Sequence, residues 1–427
     1  MKKFMTIWVG EFISSIGSGM TAFAVAIYVY QMTASVTMVS IIALLAFLPM
    51  ILLSPVGGIL ADRYDRRLMM ILGDSLSVIG LLVIFFSIQT GTGKVLPICI
   101  GVAISSVFVS LLEPAYRATV TDLLSEDEYA RASGLVQIAA NSKYLISPFL
   151  AGLILSVTDI RTILILDMAT VFVTVFTISL VRKNIHISKP RTDSPNFFRE
   201  FKEGLRGITS DKGVRSLVVL MAFMCFFIGF IQTLMTPMIL SFADEKTLGI
   251  MESLSAVGML IGSVVIGVLN IKKGYSKILT ISLIVAGVFM ALTGTTTTIW
   301  LIVAFCMMFF TALPFVNTCA DVLVRTRIPN AMQGRAWGLI SLLTQIGFVA
   351  AYALCGVLAD YVFEPMLIEG GILTESVGKV IGIGEGRGIG LMLIVAGIVM
   401  VAFAFIFGFR KDSREMDRRG VHEMVNN

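Results

Sequence analysis

The sequence predicts an all-α integral membrane protein, with twelve transmembrane helices in two pseudo-symmetric six-helix bundles. Three observations carry this. Of 427 residues, 56% are hydrophobic and 14% charged, against about 25% charged in soluble domains; the mean hydropathy is +0.91. The apolar residues gather in twelve runs, each near the roughly 20 residues that a helix needs to cross a bilayer and too long for barrel strands of about 10 alternating residues. The runs also divide six and six about one polar stretch.

The runs cover about 5–30, 36–60, 68–88, 96–121, 132–156 and 160–181, then 215–241, 249–270, 277–297, 299–322, 336–361 and 387–409. The first follows Met1-Lys2-Lys3 and contains the decoy cleavage pattern Ala22-Phe23-Ala24. The apolar part of a signal peptide spans about 7–15 residues; this run continues to Tyr30 and is expected to stay as a first span. Residues 1–182 are expected to form the N-terminal bundle, 183–213 a cytoplasmic linker, and 214–427 the C-terminal bundle with a short cytoplasmic tail. The linker carries Pro190, Arg191, Asp193, Ser194 and Pro195. Its second part, Asn196 to Ile208, reads either as a surface helix with Phe197, Phe198, Phe201 and Leu205 on one side or as an ordinary hinge.

Between the second and third runs lies Gly58-Ile59-Leu60-Ala61-Asp62-Arg63-Tyr64-Asp65-Arg66-Arg67, five charges between two apolar stretches. Such a segment is a short water-exposed loop. Of the 33 Lys and Arg, 27 fall on the side of this loop, five (Lys94, Arg161, Lys246, Lys379, Arg387) on the other, and Lys143 inside a span. Positive-inside bias then places both termini and the Asp62 loop in the cytoplasm of a multi-pass cell-membrane protein. The same bias accounts for the net charge of +5, so nucleic acid is not an expected partner.

The halves echo each other. Arg131-Ala-Ser-Gly134-Leu135 opens span 5 and Arg335-Ala-Trp-Gly338-Leu339 opens span 11. The stretch Gly267-Val-Leu-Asn-Ile-Lys272-Lys273-Gly274 before span 9 is a worn copy of the Gly58 stretch, with Ile271 in place of Asp62. Six plus six about a polar loop is the pattern of two parallel halves around a midplane site.

On these residues the chain resembles the major facilitator superfamily, and within it the drug–proton antiporters of the macrolide-efflux type. Gly58, Leu60, Ala61, Asp62, Arg63, Arg66 and Arg67 match the superfamily's loop 2–3 pattern G-x-L-A-D-R-x-G-R-R; Asp65 stands at the second glycine. The efflux-type span-5 pattern survives as Ser147-Pro148 and Ala151-Gly152, with Lys143 at its first glycine. The span-4 arginine of many proton-coupled relatives is replaced, near Ser105. The resemblance implies the major facilitator fold and a secondary active exporter of amphipathic or hydrophobic, macrolide- or drug-like compounds. It also implies proton antiport by alternating access, and so antibiotic resistance. Other cargoes on the same fold are a siderophore, a peptide or a lysophospholipid moved by a flippase. A non-transporting receptor or assembly factor is the alternative outside transport.

The resemblance places Asp62 opposite the start of span 11, near Arg335 and Ala336, where an acid meets the positive end of a helix. Arg63, Arg66 and Arg67 then pair with acids on spans 3 and 4, with Asp74 and Asp122 as candidates, forming a conformational gate that holds the cytoplasmic side shut. Charges inside spans are costly and mark function. Glu11, Ser14, Ser18 and Thr21 form one polar stripe on span 1, expected to line the cavity, with Glu11 binding substrate or a proton. Lys143, midway along span 5, needs a counter-ion, for which Glu11 is a candidate; Gln137, Asn141 and Tyr144 add hydrogen-bonding groups. Glu113 and Arg117 are spaced for a self-contained i, i+4 ion pair. Asp167 on span 6 is a candidate protonation site. Gln232 and Thr236 on span 7, Asn317 and Asp321 on span 10, and Thr344, Gln345 and Tyr352 on span 11 are further cavity candidates or plain interhelical bonds.

Other chemistries find no support. The five cysteines lie in apolar runs without C-x-x-C spacing, and His186 and His422 lie in polar segments, so no metal site, cofactor or catalytic residue is expected. Gly93-Lys94 lacks the rest of a P-loop, with Ile88 at the first glycine and Val95 at the Ser/Thr position. Gly382-Ile-Gly384-Glu-Gly386 reads as a turn outside the membrane. The 24 methionines and 29 phenylalanines suit a pliable apolar pocket. The expected partners are a small-molecule substrate, protons and membrane lipids, and the expected state is a monomer.

Overall fold

Each apolar run becomes a helix because a chain crossing hydrocarbon must satisfy every backbone polar group within itself. A computed structural model describes residues 1–91, 93–124, 128–182, 205, 206, 208, 209, 211–269, 271, 273–328 and 330–409. Among them twelve helices are long and apolar enough to cross a membrane. The first half comprises α1 (Lys2–Thr33), α2 (Val36–Arg63), α3 (Arg66–Gln89), α4 (Val95–Leu123), α5 (Tyr129–Leu145), α6 (Ser147–Leu155) and α7 (Ile160–Arg182). The second comprises α8 (Lys212–Leu240), α9 (Glu245–Leu269), α10 (Tyr275–Thr295), α11 (Ile299–Arg325), α12 (Asn330–Leu358), the short α13 (Glu364–Leu367) and α14 (Gly378–Ile381), and α15 (Arg387–Phe409). Residues 196–204 of the amphipathic-helix candidate lie outside the described residues.

Three spans differ from the sequence expectation. Span 5 is two helices, α5 and α6, that meet at Ile146. Pro148 in the first turn of α6 has no N–H to continue the ladder of α5, so the break follows the proline. Span 8 starts at Glu245, four residues before the apolar run, because Asp244 accepts a hydrogen bond from the Thr247 N–H at 2.8 Å and starts the helix early. Span 11 passes through a π-helical turn at Ala359–Phe363 and ends at Leu367 instead of near 361.

The chain forms two compact units, one of Met1–Ser194 with Ala243–Ser253, the other of Pro195–Phe242 with Leu254–Asn427. In the first, α1 lies against α7 and the α5/α6 pair through glycines. A side chain at Gly10 would meet Thr174 and Thr177, at Gly17 Asp167 and Thr170, and at Gly19 Ser147 and the Lys143 backbone. Gly80 and Gly101 bring α3 and α4 together, each against the other's carbonyl. Ile7, Met69, Met70, Tyr116 and Ile178 fill the end of this bundle beside the Asp62 loop. The start of α9 belongs to this unit too: Gly249 meets the Pro148 carbonyl, and the Phe149 N–H donates to Ser253 Oγ at 3.0 Å.

In the second unit, Gly229 and Gly347 join α8 to α12, and the pairs Gly287–Gly397 and Gly294–Gly390 join α10 to α15. On α8, Phe227 meets Phe223 and Phe226 edge to face, Phe226 stacks on Phe230, and Phe223 reaches Phe403 at 4.1 Å between centroids. Such small-residue contacts let helix backbones approach, so that dispersion holds them where no hydrophobic force acts between helices in lipid.

Candidate functional site

The turn between α2 and α3 is built by charges. Asp65 sits in extended backbone as the N-cap of α3 and accepts from the Arg67 N–H at 3.1 Å; its other oxygen takes Arg182 Nε, from the end of α7, at 2.7 Å. The departure from the family's glycine therefore supplies a cap and an interhelical tie. Arg66 donates to the Ala61 carbonyl at 3.3 Å, to the Ala118 carbonyl at 3.2 Å and to Asp122 Oδ1 at 2.7 Å, joining the ends of α2 and α4. Arg67 is buried, with a nitrogen 3.9 Å from Asp122 Oδ2. Arg63 is exposed. The Asp62 and Arg335 side chains lie outside the described residues, and the expected contact with span 11 falls there with them. Gly58 has no atom within 4 Å of where a side chain would start; its neighbour Gly57 is the packed glycine, against the Ser110 carbonyl and Pro114.

Asp74 corrects the expected gate. Among the described residues it makes no ion pair with the arginines. It lies two turns further along α3, is 4% exposed, and stands within Coulomb reach of Glu11 on α1 and Asp167 on α7. The helix explains this: eight residues past Arg66, Asp74 is about 12 Å along the axis, too far for a terminal arginine to follow.

The first unit thus holds three carboxyls inside its spans, with Asp74 within electrostatic reach of the other two. Glu11 Oε2, Asp74 Oδ2 and the Tyr116 hydroxyl of α4 are buried without a hydrogen-bond partner among the described residues. Glu11 also lies within Coulomb reach of Tyr116, Lys143 and Glu113. Asp167 is 4% exposed, stands beside Thr21, and lies 3.5 Å from the Thr170 hydroxyl. On the α1 stripe Thr21 is buried, Glu11, Ser14 and Ser18 are half-buried, and Ser18 bonds the Ser15 carbonyl of its own helix at 3.3 Å. Lys143 is exposed, not buried as the sequence suggested, and lies within Coulomb reach of both Glu11 and Asp167. The break at Ile146 lies one turn beyond it. Gln137 and Asn141 bond each other at 3.2 Å on α5. Glu113 and Arg117 are exposed and pair at 2.7 Å.

The candidates of the second unit lie on α8, α11 and α12. Gln232 is half-buried on α8, Thr236 is buried, and Asn317 is exposed on α11. Asp321 approaches Arg325 at 3.9 Å, and Arg325 lies over the Trp337 ring at 5.5 Å. Thr344 bonds its own helix at the Ser341 carbonyl, Gln345 bonds Ser341 Oγ, and Tyr352 packs beside Phe348.

Sequence reasoning missed Tyr116, Glu252 and the Asp65–Arg182 pair. Glu252 is half-buried on α9 and legible by the same intramembrane-charge rule that marks Glu11. Tyr116 and Arg182 carry no local signal, since only packing brings them to their partners. Among the described residues no group of three or more His, Cys, Asp or Glu could hold a metal ion.

The Major Facilitator Superfamily model matches residues 7–352. Macrolide efflux protein A of Streptococcus pyogenes is 25% identical over 365 residues, 84% of this chain and 89% of that protein. The enterobactin exporter EntS of Citrobacter koseri is 22% identical over 364 residues, 83% and 84% of the two chains. The crystal structure of the nucleoside transporter NupG overlays with a TM-score of 0.69 at 14% identity, over 96% of this chain and 100% of that one.

Proposed function

The chain belongs to the Major Facilitator Superfamily, and from that membership we propose that it is a secondary active exporter of amphipathic or hydrophobic compounds, coupled to proton entry by alternating access. The observation that carries this reading is the set of buried carboxyls at Glu11, Asp74 and Asp167, with the Lys143 ammonium nearby. Inside an apolar bundle a carboxyl is costly as an anion and far cheaper as a neutral acid or opposite a cation. A proton and a cationic substrate group therefore compete at Glu11, and Lys143 weights the competition. Exchange of one for the other as the bundle opens to each side is antiport. The Asp62 loop is the cytoplasmic latch, with both termini on its side of a plasma membrane, and the protein works as a monomer.

The efflux of macrolides by the Streptococcus pyogenes relative supports this cargo class. The EntS relative supports a second reading, export of a dedicated siderophore-like metabolite by the same machinery. The test uses everted vesicles carrying a pH-sensitive dye and an imposed proton gradient. Macrolides or other amphipathic compounds are expected to dissipate the gradient only in vesicles that hold the protein. No response across a broad panel, with uptake intact under a substrate gradient alone, would overturn proton coupling. Rescue of enterobactin-type export and no drug response would move the cargo to the second reading.

A further inference from the structure

A second binding site lies away from the carboxyl cluster. At the end of the first unit remote from the basic loops, α1, α3, α6, α7 and the start of α9 enclose a cavity of 330 Å³. This is within the roughly 300–1,000 Å³ range of small-molecule sites. Its wall is apolar on one side, with Ala24, Ile27, Leu155 and Ile160, and carries the Tyr28 ring. Its rim is polar and organised. Arg161 pairs with Asp159 at 2.5 Å and donates to Gln89 Oε1 at 2.7 Å. Its hydrogen bond holds the Asp159 carboxyl below the usual carboxylate range. The charges of Arg161 and Asp159 therefore cancel.

Glu245, at the first turn of α9, is different. Its carboxylate accepts a hydrogen bond from the Gln31 side-chain amide, a neutral donor, and makes no ion pair among the described residues. The cavity therefore presents one uncompensated negative charge beside an aromatic ring and an aliphatic wall. A cation at the Glu245 carboxylate replaces a neutral donor with a charged one, and an aromatic residue, Tyr28, in the same lining is of the kind that tolerates a cation.

We propose that this cavity binds an amphipathic monocation, an ammonium group at Glu245 with its apolar body against Leu155 and Ile27. The proposal extends beyond carriage through the interior and does not depend on proton coupling. The same chemistry is offered by a soluble quaternary amine and by the ammonium of a lipid headgroup.

Equilibrium binding of radiolabelled benzyltriethylammonium to the full chain, in nanodiscs of phosphatidylglycerol, tests it. Wild-type protein is expected to bind, and an uncharged carbon analogue to compete at least about tenfold more weakly. In a Glu11→Gln background, which removes the interior cation site, Glu245→Gln is expected to weaken binding at least about fivefold, and Leu155→Trp, which fills the cavity, to remove it. Competition by phosphatidylcholine discs would assign the site to the headgroup source of the same cation chemistry. Wild-type binding in both Glu245→Gln and Leu155→Trp, equal binding of the neutral analogue, or no binding at all would overturn the proposal. Gradient dissipation is measured on the same variants, so a chain that binds here but moves nothing refutes the exporter reading and leaves this site standing.

Discussion

The turn between α2 and α3 is held by ion pairs between helices, whereas its counterpart before α10 shows no ion pair among the described residues. In the first, Asp65 caps α3 and grips Arg182, and Arg66 grips Asp122. In the second, Gly274 enters α10 at φ 78° with no side-chain cap, and the Tyr275 hydroxyl donates to the Ile271 carbonyl at 2.7 Å. The second unit places its ionic tie elsewhere: Asp211 caps α8 and takes Arg327, after α11, with both oxygens at 3.0 Å. The interiors differ likewise. Three carboxyls lie within the first unit, while Phe223 to Phe230 pack the corresponding first helix of the second. A repeated sequence can thus keep its path through the membrane while the two copies place their ionisable groups and aromatic packing differently.

This difference is open to test. The largest effect is expected inside the first unit: Glu11→Gln should lower proton-coupled transport at least about 100-fold while insertion of the protein into membranes is kept. Phe227→Leu in the second unit should cost no more than about threefold. Equal losses would mean that both interiors carry the chemistry. Next, Asp62→Asn should lower transport at least about tenfold at normal expression, whereas Lys273→Gln in the worn copy should leave it within about twofold. A fully active Asp62→Asn chain would reduce the loop to a topological signal.

Packing gives a smaller contrast. Gly134 and Gly338, which open span 5 and span 11, meet no atom within 4 Å of a would-be side chain, but Gly294 runs into the Gly390 carbonyl. Gly294→Val should therefore destabilise the protein by about 1–3 kcal/mol in thermal unfolding, while Gly134→Ala stays within about 0.5 kcal/mol. The smallest effect is expected for Asp65→Gly, which restores the family's residue but removes the cap and the half-exposed Arg182 pair. It should cost about 1 kcal/mol and lower the melting temperature by about 2–4 °C. No change would show that the Asp65 tie adds nothing to the turn.

Much of the fold is legible in the chain because lipid leaves few choices. A run such as 68–88 has no stable alternative to a helix, and the arginines of the Asp62 loop mark a water-exposed turn. The site is legible only in its ingredients. Glu11, Asp167 and Lys143 stand out as charges within apolar runs, yet Lys143 reads as buried and is exposed, and Asp74 reads as a latch acid and is buried away from the arginines. Depth along one helix follows from residue number; which neighbour a face meets depends on how several helices rotate and pack.

The sequence by itself determined the number of spans, their order and the internal repeat, because the cost of burying charge and unpaired backbone is local and large. Only the tertiary structure decided that Arg66 meets Asp122 while Asp74 is buried away from the arginines, that Asp65 ties α3 to α7, and that Glu245 borders a cavity with Tyr28 and Arg161. Those pairings join residues far apart in the chain. They rest on close helix contacts at positions such as Gly17, Gly19 and Gly249, whose partners no local pattern names.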